Sequence, residues 1–268
     1  MSAQIKSTVN TILKMKQEGK PISMLTAYDY SFASIIDAAG IDIILVGDSA
    51  SNVFSGNDTT LPISMDEMIY HTKAVVKGTQ RAMVVVDMPF GSYQISAEIA
   101  LKNAVEIFKN TGAQAIKMEG GIEILPSVKK IIEAGIPVMG HLGLTPQSIH
   151  QLGSYGVQAK SDLAQQTLID NAVSLQAAGC FAIVVEKIPA ALAEKVSTLL
   201  NIPVIGIGSG NKCDGQVLVM HDLLGLNPNF KPKFIRKYAD LHGIALNAIK
   251  NYINDVQSKS FPNESESY

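Results

Sequence analysis

Ala82-Met83-Val84-Val85-Val86-Asp87 is a run of five apolar residues closed by a carboxylate. It has no polar alternation, so a strand here has both faces covered, as in a parallel sheet packed between helices. Working outward, similar short runs occupy residues 22–26, 41–47, 115–119, 137–140, 181–186, 203–208 and 216–220. With 82–87 they make eight candidate strands. Amphipathic patterns near a period of 3.6 fill most of the gaps, at 29–39, 66–77, 97–110, 123–134, 162–178 and 189–200. Four of them stop at a small residue and glycine, Ala39-Gly40, Thr111-Gly112, Ala134-Gly135 and Ala178-Gly179. Glycine supplies the left-handed helix stop there.

An extra helix over about 7–18 precedes the first strand, and a long one over about 237–257 follows the last. The polar tail 258–268 reads as flexible. No linker or break in composition divides the 268 residues. Eight strands alternating with helices over this length predict one α/β domain, a (β/α)8 TIM barrel with an N-terminal helical segment over 1–20. The competing doubly wound open sheet lacks its glycine fingerprint: Thr26-Ala27-Tyr28-Asp29 follows the first strand instead.

Composition narrows the function. Charged residues make up 17%, against about 25% in an average chain, which points to surface hidden in an oligomer. The net charge is −2 and no basic run occurs, so nucleic-acid binding is not expected. Cys180 and Cys213 have no ligand-like spacing and read as reduced thiols of a cytoplasmic protein, which excludes a cysteine zinc site. The N-terminal segment lacks the apolar core of a secretory signal, and no apolar stretch nears the ~20 residues of a membrane span.

Barrel enzymes carry their chemistry at the C-terminal strand ends. Those ends read Asp29, Asp48-Ser49, Asp87, Lys117-Met118-Glu119, His141, Glu186, Gly206–Gly210 and His221-Asp222. Asp29 and Asp222 suit helix caps, and His71 and His221 suit satisfied core or surface positions. Asp48, Asp87 and Glu119 end three successive strands, and neighbouring strands lie about 4.8 Å apart. Three carboxylates so close do not all ionise in a dry pocket without a cation. An all-oxygen set suits Mg²⁺; the bland alternative is three independent caps. Lys117 shares a face with Glu119 and meets either that carboxylate or a substrate carboxylate. Glu186 is either a general base across the barrel, or a partner for Lys187 or a helix cap. His141 either bonds substrate or packs, and the Gly206–Gly210 turn either holds a phosphate or is simply tight. Such a set allows enolate chemistry: Mg²⁺ polarises an α-keto acid, a base removes the adjacent proton, and the enolate carbon attacks an electrophile.

At these residues the chain resembles the ketopantoate hydroxymethyltransferase family, from about residue 22 to 253. The resemblance is carried by Thr26-Ala27-Tyr28-Asp29, Val46-Gly47-Asp48-Ser49, Asp58-Thr59-Thr60-Leu61-Pro62, Tyr70-His71-Thr72 and Asp87-Met88-Pro89-Phe90. It continues through Lys117-Met118-Glu119-Gly120-Gly121, residues 140–148 (GHLGLTPQS), 203–208 (PVIGIG) and 214–222 (DGQVLVMHD). It implies a cytoplasmic Mg²⁺-dependent barrel enzyme of pantothenate biosynthesis. Such an enzyme transfers hydroxymethyl from 5,10-methylenetetrahydrofolate to 3-methyl-2-oxobutanoate, giving 2-dehydropantoate. Carried over, Asp48, Asp87 and Glu119 are the metal set and Glu186 the proton acceptor. Asp48 with Ser49, Asp87 and Lys117 match the keto-acid contacts, and His141 joins them as a candidate from its own position. The family assembles as rings, often decamers. Departures are Ala50-Ser51-Asn52 where a Leu-Gly-Met-like run is common, Ser209 for an alanine, and Ala159-Lys160 where Gly-Arg or Gly-Lys is typical. The rivals are a barrel enzyme of the phosphoenolpyruvate mutase or lyase type, whose Lys-Lys-Cys-Gly-like loop is missing here, and a non-enzymatic binding or scaffold barrel that would have lost part of its buried charge.

Overall fold

The computed structural model describes residues 6–268, so the first five residues of the expected helical segment 1–20 lie outside the described residues. The chain divides into two compact units, one ending at Val219 and one spanning Met220–Tyr268.

The first unit holds eight strands: β1 (Ile22–Thr26), β2 (Ile43–Val46), β3 (Met83–Asp87), β4 (Ala115–Glu119), β5 (Val138–Gly143), β6 (Ala182–Glu186), β7 (Val204–Ile207) and β8 (Gly215–Leu218). They pair in sequence order, all parallel, and β1 closes the ring on β8 with Met24 opposite Val217. A closed (β/α)8 barrel is therefore the fold, and the open sheet is excluded. The eighth strand starts and stops earlier than the apolar run 216–220 suggests. It begins at Gly215, where a Cβ would lie 2.4 Å from the Ile22 carbonyl oxygen, so only glycine allows this approach of β8 to β1.

The longer helices fall close to where the 3.6 period places them, several with polar caps. Asp29 accepts from the Phe32 N–H at the start of the helix Tyr30–Ala38, so its cap reading holds. Ser64 and Glu67 form a reciprocal capping box ahead of Met65–Gly78. The expected helix 123–134 is split into a 3₁₀ turn, Ile122–Ile124, and an α-helix, Leu125–Glu133. Pro126 explains the break: without an N–H it belongs in a first helical turn. The turn before it closes instead with a three-residue bond from Ile124 N–H to the Gly121 carbonyl. Gly112, at φ 78°, is the left-handed cap of the helix Ala97–Thr111.

Strand alternation sorts the barrel interior. Ile43, Leu45, Met83, Val85, Ala115, Met139, Val184, Ile205 and Val217 form one buried cluster inside the ring. Ile12, from the helix Val9–Gln17, plugs the N-terminal end of the same cluster. Continuing each inward column by two residues turns it polar: Met83-Val85 leads to Asp87, Ala115 to Lys117 and Glu119, Met139 to His141, and Val184 to Glu186. The second unit contains the short helix Met220–Leu223, with Asp222 inside it rather than capping it, and the helix Leu241–Ser258. The latter starts four residues later than expected, where Asp240 accepts from the Gly243 N–H. A 3₁₀ turn at Glu264–Glu266 lies within the tail.

Candidate active site

Because the strands are parallel and closely registered, their last inward residues stand side by side. Asp87 pairs with Lys117, Glu119 with His141, and Gly143 with Glu186. Asp48 follows β2 after one residue, Gly47. Asp48, Asp87, Lys117, Glu119 and His141 are all buried. The side chain of Glu186 is 15% exposed, at the mouth of the group.

The contacts run in a chain. Lys117 Nζ lies 2.7 Å from Asp87 Oδ1 and 3.7 Å from Glu119 Oε1. His141 Nδ1 lies 3.2 Å from Glu119 Oε1, and its Nε2 lies 3.4 Å from Glu186 Oε2. Asp87 Oδ2 accepts the Asp48 backbone N–H at 3.1 Å. Ser49 Oγ lies 2.8 Å from the Tyr28 hydroxyl, which anchors the turn after β2 to the end of β1. All six sequence-predicted positions on β2 to β6 thus meet at one end of the barrel, together with Ser49. Lys117 faces Glu119, the protein partner considered for it, and lies closer still to Asp87, which was not considered.

Gly143 positions Glu186. At φ 92° it is left-handed, and a Cβ there would sit 2.3 Å from the Glu186 carbonyl oxygen. That same carbonyl accepts the Leu144 N–H at 2.8 Å, so β5 can press against β6 only through a glycine. Ser209, one of the departures, buries its hydroxyl and donates to the Val185 carbonyl at 2.9 Å, next to Glu186. Within the Gly206–Gly210 turn, a Cβ on Gly210 would lie 2.6 Å from Ala190 Cβ, which accounts for glycine by packing. Ala159 holds φ 52°, a backbone region that favours the glycine typical of the family.

Charge is unevenly matched here. Burial, then Glu119 and Asp87, push Asp48 well above the usual carboxylate range. Burial also raises Asp87, although Lys117 opposes it. Burial works against the charge on Glu119 too, but His141 and Lys117 hold it below its ordinary value. Burial and Lys117 would lower His141; the Glu119 and Glu186 carboxylates outweigh them and raise it to about 9. Burial disfavours the charged Lys117, yet Asp87, Glu119 and Asp48 raise it above the usual lysine range. The Lys117 ammonium and the His141 imidazolium thus stand among four carboxyl groups, of which burial and neighbouring acids push Asp48 and Asp87 toward the neutral form. Crowded acids that burial pushes toward the neutral form, and all-oxygen donors, suit a hard divalent cation. The carboxylates are held by Lys117, Gln147 and His141, and no group of three His, Cys, Asp or Glu among the described residues is already arranged around a metal-sized point.

Two buried residues of the site escaped sequence reading, Gln147 and Tyr93. Gln147 Nε2 donates to Asp48 Oδ2 and its backbone N–H to Glu119 Oε2. The Tyr93 hydroxyl donates to Gln147 Oε1. Gln147 lies in the 140–148 stretch, and its position past a strand end was the available signal. Tyr93, in the loop after β3, offered none. His71 is a core histidine, as read: its Nδ1 lies 2.7 Å from the Tyr28 carbonyl and its ring packs edge-on to Phe54.

Comparison with known proteins follows the same lines. The solved structure of a phosphonopyruvate hydrolase, reported in complex with oxalate and Mg²⁺, superposes with a TM-score of 0.63 over 97% of this chain and 93% of that one, at 13% identity. A 2,3-dimethylmalate lyase of the PEP mutase/isocitrate lyase superfamily matches with a TM-score of 0.59 at 11% identity, over 97% of this chain and 88% of that one. At such identities the likeness shows the barrel alone. The 3-methyl-2-oxobutanoate hydroxymethyltransferase of Bacteroides thetaiotaomicron is 59% identical over 98% of this chain and 96% of its own length. That of Chlorobium luteolum is 58% identical over 97% and 96%. The family model described as ketopantoate hydroxymethyltransferase matches residues 6–264. From the strand-end residues to the full-length match, the chain belongs to the ketopantoate hydroxymethyltransferase family.

Proposed function

We propose that this enzyme transfers the hydroxymethyl group of 5,10-methylenetetrahydrofolate to C3 of 3-methyl-2-oxobutanoate, giving 2-dehydropantoate for pantothenate biosynthesis, with Mg²⁺ as its cofactor. Asp48, Asp87 and Glu119 would hold the ion; the burial and crowding that push Asp48 and Asp87 toward the neutral form, which a divalent cation would relieve, support that assignment. When bound, the ion supplies Lewis acidity that makes the proton beside the keto group removable. Lys117, the buried cation, binds the keto acid's negative charge together with Ser49 and His141 at the same rim. Glu186 takes the proton from C3. The enolate carbon then attacks the one-carbon unit of the folate, and water completes the hydroxymethyl group as tetrahydrofolate leaves.

The observation that carries this reading is the graded burial of the acids. Asp48, Asp87 and Glu119 are enclosed, whereas the Glu186 side chain is part-exposed, with His141 Nε2 3.4 Å away. His141, protonated up to about pH 9, is the cation beside the group assigned as base. Replacing Glu186 by Gln is expected to leave keto-acid binding within a few-fold while abolishing deuterium uptake at C3 in heavy water. Undiminished exchange removes Glu186 as the base. A coupled assay with both substrates, with and without EDTA, tests the whole reaction, and turnover without the folate or with EDTA in excess contradicts it.

We also infer a cytoplasmic homo-oligomer, the decamer of the resemblance included. In support, no helix among the described residues is long and apolar enough to cross a membrane, and no residue of Leu241–Ser258 is buried. That helix exposes Ile244, Ile249, Tyr252, Ile253 and Val256, a face that soluble chains cover by association. Light scattering that returns a monomer mass rejects this.

A further inference from the structure

Gln147 is 5% exposed and all four hydrogen-bonding positions of its amide are used. Nε2 donates to Asp48 Oδ2 and to the Met88 carbonyl, both at 2.9 Å. Oε1 accepts from the Tyr93 hydroxyl at 2.7 Å and from Gln94 Nε2 at 3.1 Å. An amide can be turned end for end with little change of shape, so something must choose its direction. Here the choice is made twice. Gln94 Oε1 accepts the Gly91 N–H at 2.8 Å, which turns the amino end of Gln94 toward Gln147. The Tyr93 hydroxyl accepts the Glu119 N–H at 3.0 Å. Its single proton has two acceptors in reach, the Glu119 carbonyl at 3.1 Å and Gln147 Oε1 at 2.7 Å, and the shorter bond goes to Gln147. Two donors therefore hold the oxygen end of Gln147, and its amino end must face Asp48. The backbone N–H of the same residue donates to Glu119 Oε2 at 3.0 Å.

We propose that Gln147 is a positioning residue for the ion site: directed by Tyr93 and Gln94, it commits Oδ2 of Asp48 and Oε2 of Glu119 to the protein, which sets the direction of Asp48 Oδ1 and of Glu119 Oε1, the latter also faced by His141 Nδ1 at 3.2 Å. One residue thereby aligns acids from the ends of β2 and β4. The proposal rests on the reading of Asp48 and Glu119 as ion ligands. Outer contacts of this kind typically change metal affinity 10- to 100-fold when removed.

The test is Mn²⁺ affinity, by electron paramagnetic resonance or calorimetry, for the full-length protein and for Gln147→Met, Tyr93→Phe and the double variant, each with its melting temperature. Gln147→Met keeps the volume and deletes the amide. It is expected to weaken Mn²⁺ binding roughly 10- to 100-fold and to raise KM for the keto acid more than it lowers kcat. Tyr93→Phe is expected to weaken Mn²⁺ binding by less, and to add little in the double variant, because both act through one amide. A purely structural role would lower the melting temperature and leave Mn²⁺ affinity of the folded protein untouched. Should Gln147→Met fail to fold, Tyr93→Phe carries the test, with its smaller but more than about twofold weakening of Mn²⁺ binding. Folded variants that bind Mn²⁺ within about twofold of the parent overturn the role of Gln147 alone. A parent protein that binds no Mn²⁺ overturns the ion reading and this inference with it.

Discussion

At the N-terminal end of the barrel, Ile12, Ile22, Ile43, Met83 and Phe181 close the interior with apolar side chains. The nearest charged pair there, Lys16 with Asp214 at 2.7 Å, is served on both sides: Lys16 also donates to the Ser197 carbonyl, and Asp214 accepts from Ser197 Oγ and Val204 N–H. At the C-terminal end the same inward columns finish in Asp87, Lys117, Glu119, His141 and Glu186, where acids outnumber bases. Both ends are shaped by the same strand period. They differ in whether burial is compensated from within the protein. The lower end supplies stability; the upper end gives some of it up to hold charges that need a ligand, the usual exchange between stability and activity.

The contrast is broken most severely at the top. Lys117→Met leaves Asp87 and Glu119 buried without their cation. It is expected to cost about 3–5 kcal/mol of stability and to abolish keto-acid binding, read by denaturant unfolding and calorimetry. A variant as stable as the parent would mean that Lys117 does not compensate these acids. Ile12→Ala sharpens the other side. Opening a cavity under the barrel is expected to cost about 2–5 kcal/mol while KM and kcat of the folded enzyme stay unchanged.

The smallest effect is one of pH. Folded His141 holds its proton to about 9, against an ordinary 6.5, so the folded state keeps a proton that the unfolded chain releases in between. Its contribution is complete below pH 6.5 and lost as pH rises through 9. The metal-free protein should therefore melt at lower temperature at pH 9.5 than at 6.5, and His141→Gln should flatten that slope. An equal slope in the variant assigns it elsewhere.

Much of this division was legible in the residues themselves. Uninterrupted apolar runs marked the buried strands, and the carboxylates that end or follow four of them, Asp48, Asp87, Glu119 and Glu186, marked the rim. The relation of Lys117 to Glu119 followed from the period of two alone. Less legible was whatever depended on contacts between distant segments. Closure of β8 on β1 turns on how near Gly215 can approach Ile22, which no local pattern encodes. Pro126 did signal the split of its helix, but the apolar period ran through it. Gln147 and Tyr93 were missed because their roles exist only where loops after β3 and β5 meet. Asp222 lies inside a helix because the strand before it ends sooner than its apolar run.

The account turns on an ion-assisted loss of the C3 proton at the upper rim. The direct measurement is deuterium uptake at C3 of 3-methyl-2-oxobutanoate in heavy water, catalysed by the full-length protein without folate, in Mg²⁺ and again after EDTA. The account predicts uptake with Mg²⁺ that falls to the uncatalysed rate when the ion is stripped and returns when it is restored. Uptake that proceeds equally in EDTA would contradict it.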